Sequence, residues 1–282
     1  VSRQPGERVL VALPRLARRK GPDTPPEARQ ERADGRDWLP YLAAIAFLLA
    51  LWQAAAFFLP GFLMPDVPRV LARLVRSLGD PVFQAALLRS LYRLGAGYGL
   101  AVAVGAAVGL TGGIARGLSR FVRALVTILQ SIPPITWVPL LVILLRFGDR
   151  PVLVVVTLAG LYPMALAVLD ATEGVDPRRV QVARLLGASR LQLLRLVYLP
   201  EVMPAWITGA QLAFGNAWRA LVAAEMVAGV SSGLGWSISY AGEIADMEGV
   251  LVGITAIAAL SVLADRLLLE RVKRRLLRWR YA

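Results

Sequence analysis

Two residue types are missing from the 282-residue chain: it has no cysteine and no histidine. Disulfides are therefore excluded, as are thiolate or imidazole metal sites and any Ser-His or Cys-His nucleophile pair. No GxxxxGK[ST] loop occurs, so the sequence offers no phosphate cradle for hydrolysing ATP. Acidic residues are scarce, 19 against 32 Lys and Arg, giving a formal net charge of +13. An enzyme, a metal site and a cofactor are not expected. What is abundant is apolar: 57% of residues are hydrophobic and the mean hydropathy is +0.58. Soluble domains are typically about 45–50% apolar, so several transmembrane helices are expected. In a soluble protein, +13 would suggest nucleic acid. Here the basic residues cluster in the end segments and one loop, which fits cytoplasmic flanks and anionic lipid instead.

Along the chain, residues 1–37 are rich in Pro, Arg, Glu and Asp and read as a disordered basic cytoplasmic tail, with a short interfacial helix at Arg8–Arg18 as an option. Their one apolar patch, Val9–Leu13, is too short for a signal-peptide core, and its charges follow it. Residues 38–270 read as a six-helix transmembrane domain. The first span is expected at Trp38–Leu59, then a turn at Pro60–Pro68 and a surface helix at Arg69–Leu78. The second, Leu91–Gly113, carries Gly95-x3-Gly99 and Gly105-x3-Gly109-x3-Gly113 as small-residue packing ridges. A third segment, Phe121–Leu145, contains Pro133-Pro134 and Pro139. Adjacent prolines remove two donors, which a membrane tolerates only inside a bundle or beside a water-filled path. The fourth span is Val152–Leu169, bent at Pro163. The fifth is Trp206–Val227. A loop with Glu243, Asp246 and Glu248 precedes the sixth, Gly249–Leu268, and residues 271–282 form a basic cytoplasmic tail.

Between the fourth and fifth spans lies Glu173–Ala205, with Arg178, Arg179, Arg184, Arg190 and Arg195. A stretch this charged belongs at a membrane face. Asp176-Pro177 reads as an N-cap and first helical residue, and Gly187 as a left-handed helix end. Ser189 and Gln192 form a capping box for a second helix, Arg190–Tyr198, ended by Pro200.

The spacing Gln181-Val182-Ala183, three residues, Gly187, nine residues, Val197-Tyr198-Leu199-Pro200 resembles the loop motif of binding-protein-dependent ABC importer permeases. That pattern reads Glu-Ala-Ala, x3, Gly, x9, Ile-x-Leu-Pro. Gln181 and Val182 depart from it, so any charge-based contact at Gln181 is lost. Pro133-Pro134 with Pro139-Leu140, the run Gly209–Met226, and Ser231-Ser232-Gly233-Leu234-Gly235 are similar to the nitrate, sulfonate and taurine importer subfamily. The resemblance implies an all-α, type I importer-like fold in a bacterial inner membrane. It implies a second permease copy, two ABC ATPase subunits coupled through Gln181, Ala183, Gly187, Val197, Leu199 and Pro200, and an extracytoplasmic solute-binding protein. The solute class it favours is a small anion such as a sulfonate, taurine, nitrate or bicarbonate; vitamin precursors and other neutral or cationic solutes are the alternative. A self-sufficient channel or secondary carrier is the rival from another class.

The basic segments place both chain ends and the central loop in the cytoplasm. Arg69, Arg73 and Arg76 run against the rule, and headgroup contact accounts for them. Pro133, Pro134, Gln211, Asn216, Arg219 and Glu225 are the candidate pathway residues. Arg219 reads as the only basic residue well inside a span. It either pairs with Glu225 or snorkels outward, or it presents a positive, hydrogen-bonding group to an anion.

Overall fold

The structure, a computed structural model, describes residues 38–264; every regular element among them is helical. The two basic tails expected at 1–37 and 271–282 lie outside the described residues, as do residues 265–268 of the expected sixth span. The chain divides into two compact units, residues 1–51 and 52–282. The described part of the first is the leading stretch of α1 (Trp38–Phe58), whose Phe47 and Leu48 are exposed.

In the second unit, Trp52 Nε1 donates to the Pro65 carbonyl (3.1 Å) and Val67 N–H donates to Gln53 Oε1 (3.1 Å), fixing the turn into α2 (Val67–Ser77). This amphipathic helix buries Val70 completely. Its arginines are answered locally. Arg73 grips Asp246 with two bonds of 2.7 and 2.5 Å, and Arg69 lies 3.5 Å from Asp66.

α3 (Pro81–Ile114) starts well before the expected Leu91, because Asp80 caps it, accepting from Val82 N–H at 3.0 Å, and Pro81 occupies the first turn. It packs along α6 (Asp149–Glu173), a helix apolar on all sides and accordingly the most buried of the long ones. Residues of α6 enter all three apolar clusters, through Val156, Met164 and Leu169 for example. Gly105, Gly109 and Gly113 form the ridge expected against it. A Cβ on Gly109 would stand 2.5 Å from the Ala165 carbonyl oxygen. The other expected ridge is a misreading. Gly95 and Gly99 meet nothing within 4 Å, and Gly97, one position out of that frame, packs on Val156. The helical period, not the x3 spacing, decides which glycine faces the partner.

The segment expected at Phe121–Leu145 is two helices. α4 (Arg116–Gln130) stops before Pro133, a 3-10 turn covers Pro134–Trp137, and α5 (Val138–Leu145) leaves at a bend of 82°. α7 (Pro177–Leu185) and α8 (Arg190–Leu193) follow α6. The expectation that Pro200 ends the second loop helix is corrected. The chain passes through a π-helical turn (Leu194–Tyr198) straight into α9 (Leu199–Val227). In that turn Leu199 N–H bonds back to the Leu194 carbonyl, five residues away, so the missing Pro200 donor falls where the ladder has already shifted. α9 thus begins earlier than the expected Trp206. A second correction concerns the stretch after Gly233, which is not all loop. It forms α10 (Leu234–Glu243) before α11 (Met247–Ala264).

Among the described residues four helices, α1, α3, α6 and α11, are long and apolar enough to cross a membrane, or five if the bent α4–α5 segment counts as one span.

Two outcomes test this packing. Gly109→Ala forces α3 off the α6 backbone and should cost about 1–3 kcal/mol, read as a lower melting temperature in detergent. Gly99→Ala, facing open space, should be neutral or slightly stabilising. Separately, the Arg73 hydrogen bond holds the Asp246 carboxyl below its usual range. A depressed carboxyl contributes stability above its unfolded pKa, about 3.9, and loses it as pH falls through the folded value. Asp246→Asn should therefore melt lower than the parent chain at neutral pH, and the two curves should converge as the solution is acidified below pH ~4.

Candidate functional site

Two features stand on the α6–α9 pair: a cavity at mid-helix and the charged loop at one end. The cavity, about 390 Å³, is walled by Gln130 at the end of α4, Pro134 and Ile135 of the 3-10 turn, Tyr162 and Pro163 of α6, and Asn216, Arg219 and Ala223 of α9. The proline break creates one wall, because the 82° bend carries the chain away from α6 and leaves space beside it. Arg219 supplies the charge. Its Nη2 donates to Asn216 Oδ1 (2.9 Å) and its Nε to the Gly215 carbonyl (3.0 Å). Those bonds hold the guanidinium along its own helix, and no carboxylate among the described residues is in ion-pair reach of it. The site can therefore offer an exposed cation held along its own helix, amide groups and a mostly apolar wall.

Of the residues expected to line a pathway, Pro134, Asn216 and Arg219 come together here, with Pro133 capping the 3-10 turn. Gln211 is half-buried on α9 but does not line the cavity. Glu225 lies elsewhere and does not pair with Arg219. It is buried against Arg93 Nη1 (2.6 Å), Ser90 Oγ (2.8 Å) and the Gly235 N–H (2.9 Å). The expectation that Arg219 is the only basic residue deep in a span fails on Arg93, which is 1% exposed within α3. A signal was available: a carboxylate in an apolar run needs a cation, and Arg93 sits inside the second hydrophobic segment.

The loop follows its sequence signals closely at first. Asp176 caps α7, accepting from Arg178 N–H at 2.8 Å, and Ser189 and Gln192 form a complete capping box. Gly187 has φ +82, with its N–H on the Arg184 carbonyl and the Ala188 N–H on Ala183. One face of the loop is anchored: Val180, Ala183, Leu193 and Val197 pack with Met164 and Val168 of α6. Arg179 ties α7 to Glu201 of α9 at 2.5 Å. Gln181 lines a cleft of about 470 Å³ with Glu173, Arg184 and Tyr198. The opposite face leaves Leu185 and Leu186 more than four-fifths exposed, with Leu196 also open. On a loop this well capped, these apolar side chains among arginines make an exposed apolar patch.

Residues 97–277 match the family described as binding-protein-dependent transport system inner membrane component. The chain belongs to this family. Its curated relatives include the taurine transport system permease protein of Escherichia coli, 31% identical over 84% of this chain and 88% of that protein. An aliphatic sulfonates transport permease protein of Bacillus subtilis is 26% identical (86% and 88% covered), and a nitrate import permease protein of Synechococcus elongatus 24% (82% and 88%). An inward-facing structure of the MetNI methionine ABC transporter overlays 70% of this chain and 95% of its own with a TM-score of 0.60; at 20% identity the likeness is one of fold. The chain is thus the permease subunit of an ABC importer, a multi-pass inner-membrane protein that works with a separate ATPase and a solute-binding protein.

In this permease Gly187 closes α7 in a conformation that a β-branched residue resists by about 1–2 kcal/mol. Gly187→Val should insert and assemble normally yet lose solute-stimulated ATP hydrolysis in the complex. Retained stimulation would leave the loop a plain connector.

Proposed function

We propose that the permease imports a small oxyanion of the sulfonate or nitrate type, and that the cavity around Arg219 is where the anion is held in transit. Two copies of the chain would face each other across one route. Each would have six spans, α9 and the bent α4–α5 segment included, with both ends in the cytoplasm. An ATPase subunit would sit under each 173–205 loop and the binding protein on the opposite face. The local pairing of Arg69 and Arg73 with Asp66 and Asp246 supports the outer placement of α2, since neutralised arginines weigh little in orientation.

The observation that carries the solute class is Arg219 in the cavity, bonded to Asn216 and free of any carboxylate among the described residues. A guanidinium held this way binds an oxyanion with charge-assisted hydrogen bonds and need not first release a partner. The relatives named for taurine, aliphatic sulfonates and nitrate handle solutes of that chemistry. Mechanistically, closure of the ATPases would push the Leu185–Leu186 face, and α6 and α9, which carry the loop between them, would move with it. The cavity lies on that same pair, so its walls would shift relative to the α4–α5 bend, changing which side the anion sees.

Uptake of labelled taurine by vesicles containing the full transporter tests this reading. Arg219→Gln should raise the half-saturating concentration roughly tenfold or more while assembly with the ATPase persists. Arg219→Lys should lie between the two. Equal losses of uptake and assembly would make Arg219 structural and end the anion proposal.

A further inference from the structure

The cluster around Arg93 serves neither the cavity wall nor the loop. Its guanidinium donates from Nη1 to Glu225 Oε1 (2.6 Å) and the Ser232 carbonyl (2.8 Å), and from Nε and Nη2 to Asp149 Oδ1 (3.0 and 2.6 Å). Ser90 Oγ donates to Glu225 and accepts from the Leu234 N–H (2.9 Å). One side chain of α3 thereby joins the start of α6, the end of α9 and the link to α10. Gly233 and Gly235 make the approach feasible. A Cβ on Gly233 (φ +154) would stand 2.6 Å from the Glu225 carboxylate and 2.7 Å from Arg93 Nη1.

The two acidic arms are unequal. The Glu225 side chain is 0% exposed and that of Asp149 is 56% exposed. Removing Glu225 from Arg93 would strand a buried charge. Asp149, by contrast, can exchange the guanidinium for water and leave a neutral Arg93–Glu225 pair behind. Asp149 also directly follows a turn held in an unfavourable conformation, with Arg146 at φ 68 and Gly148 at φ 123. That turn is clamped to the same link: Phe147 fills the space over Gly229, and Gly148 N–H reaches the Ala228 carbonyl at 3.5 Å. The cluster occupies the start of α6 and the end of α9. The coupling loop joins their other ends, and the cavity lies between.

We propose that Arg93 is a positioning residue for transport. Through Asp149 it latches the α5–α6 turn to the α9–α10 link, closing the cavity at the end opposite the coupling loop until the exposed arm lets go. With Asp149 engaged, α5 is pinned at its far end while the Pro133–Pro134 break hinges its near end. With Asp149 released, the turn is held only by Phe147 over Gly229 and the long Gly148 contact, and α5 can swing about the proline break. The outward position of this end rests on the topology proposed above.

This sequence has no cysteine, so single-cysteine reporters in it meet no background from its own residues, and the parent complex without a reporter sets the background from the other subunits. In right-side-out vesicles holding the complete transporter, N216C reports the cavity and L185C, exposed on the loop, reports sidedness. A membrane-impermeant thiol reagent is applied to each face in turn. Asp149→Asn should raise N216C labelling from outside severalfold without nucleotide and leave the melting temperature near that of the parent, and Asp149→Glu should restore protection. L185C should label only from the cytoplasmic face; labelling from outside would overturn the topology, whatever N216C does. With L185C as expected, unchanged N216C labelling would overturn the latch. So would a melting temperature lowered in step with a labelling rise from both faces, since that marks a general brace.

Discussion

A guanidinium in an apolar bundle is tolerated only when its charge is answered, and the arrangement of this permease turns on how Arg93 is answered. Glu225 faces it with no solvent on either partner, and removing one member of such a pair typically costs about 3–5 kcal/mol. Both partners must therefore arrive together, which fixes the rotation of α9 about its axis and its register against α3. Arg219, six residues earlier on α9, is turned about 240° from Glu225 at 100° per residue. Pinning one face of α9 to Arg93 thus turns another toward the cavity.

Arg93 also reaches Asp149 of α6, across a close approach of α3 and α6. In lipid no hydrophobic gain brings two apolar helices together, so tight contact and interhelical polar bonds must supply the association. Gly97, Gly105, Gly109 and Gly113 let the α6 surface reach the α3 backbone, and Thr157 Oγ1 completes the contact by donating to the Gly97 carbonyl at 3.2 Å. Tyr98 does the same toward α9, its hydroxyl donating to the Ala210 carbonyl at 3.1 Å. The glycines set the distance, and the polar side chains then make use of it.

Local chemistry was the part legible from the residues alone. Asp176, Gly187, Ser189 and Gln192 behave as their types dictate, because caps and left-handed helix ends are decided within a few residues. The proline break was legible for the same reason. The meeting of Pro134 with Asn216 and Arg219 in one cavity was expected only as a shared role, and packing brings them together. The failures involve the third dimension. Gly95 and Gly97 look alike in a motif scan, and only helix phase separates them. Pro200 looks like a stop, but a π turn upstream removes its penalty. Arg93 went unnoticed in the sequence because its partners lie 56 and 132 residues away.

Charge accounting along α9 connects these strands. The helix carries two carboxylates, Glu201 and Glu225, and one cation, Arg219. Neither carboxylate lies beside Arg219: Glu201 is 18 residues away, about 27 Å along the helix, and Glu225 is turned to another face. Glu201 is taken by Arg179 of the 173–205 loop and Glu225 by Arg93 of α3, one at each end of the helix. Both anionic groups are thus spent on holding α9, at the loop below and at the ion cluster above, and the single positive charge is left between them beside the cavity. Arg219 is exposed at the cavity and bonded only within its own helix, to Asn216 and the Gly215 carbonyl, with no carboxylate among the described residues beside it. The same pairing that positions the helix therefore leaves Arg219 as the one charged side chain lining the cavity, the feature on which the proposed anion route relies.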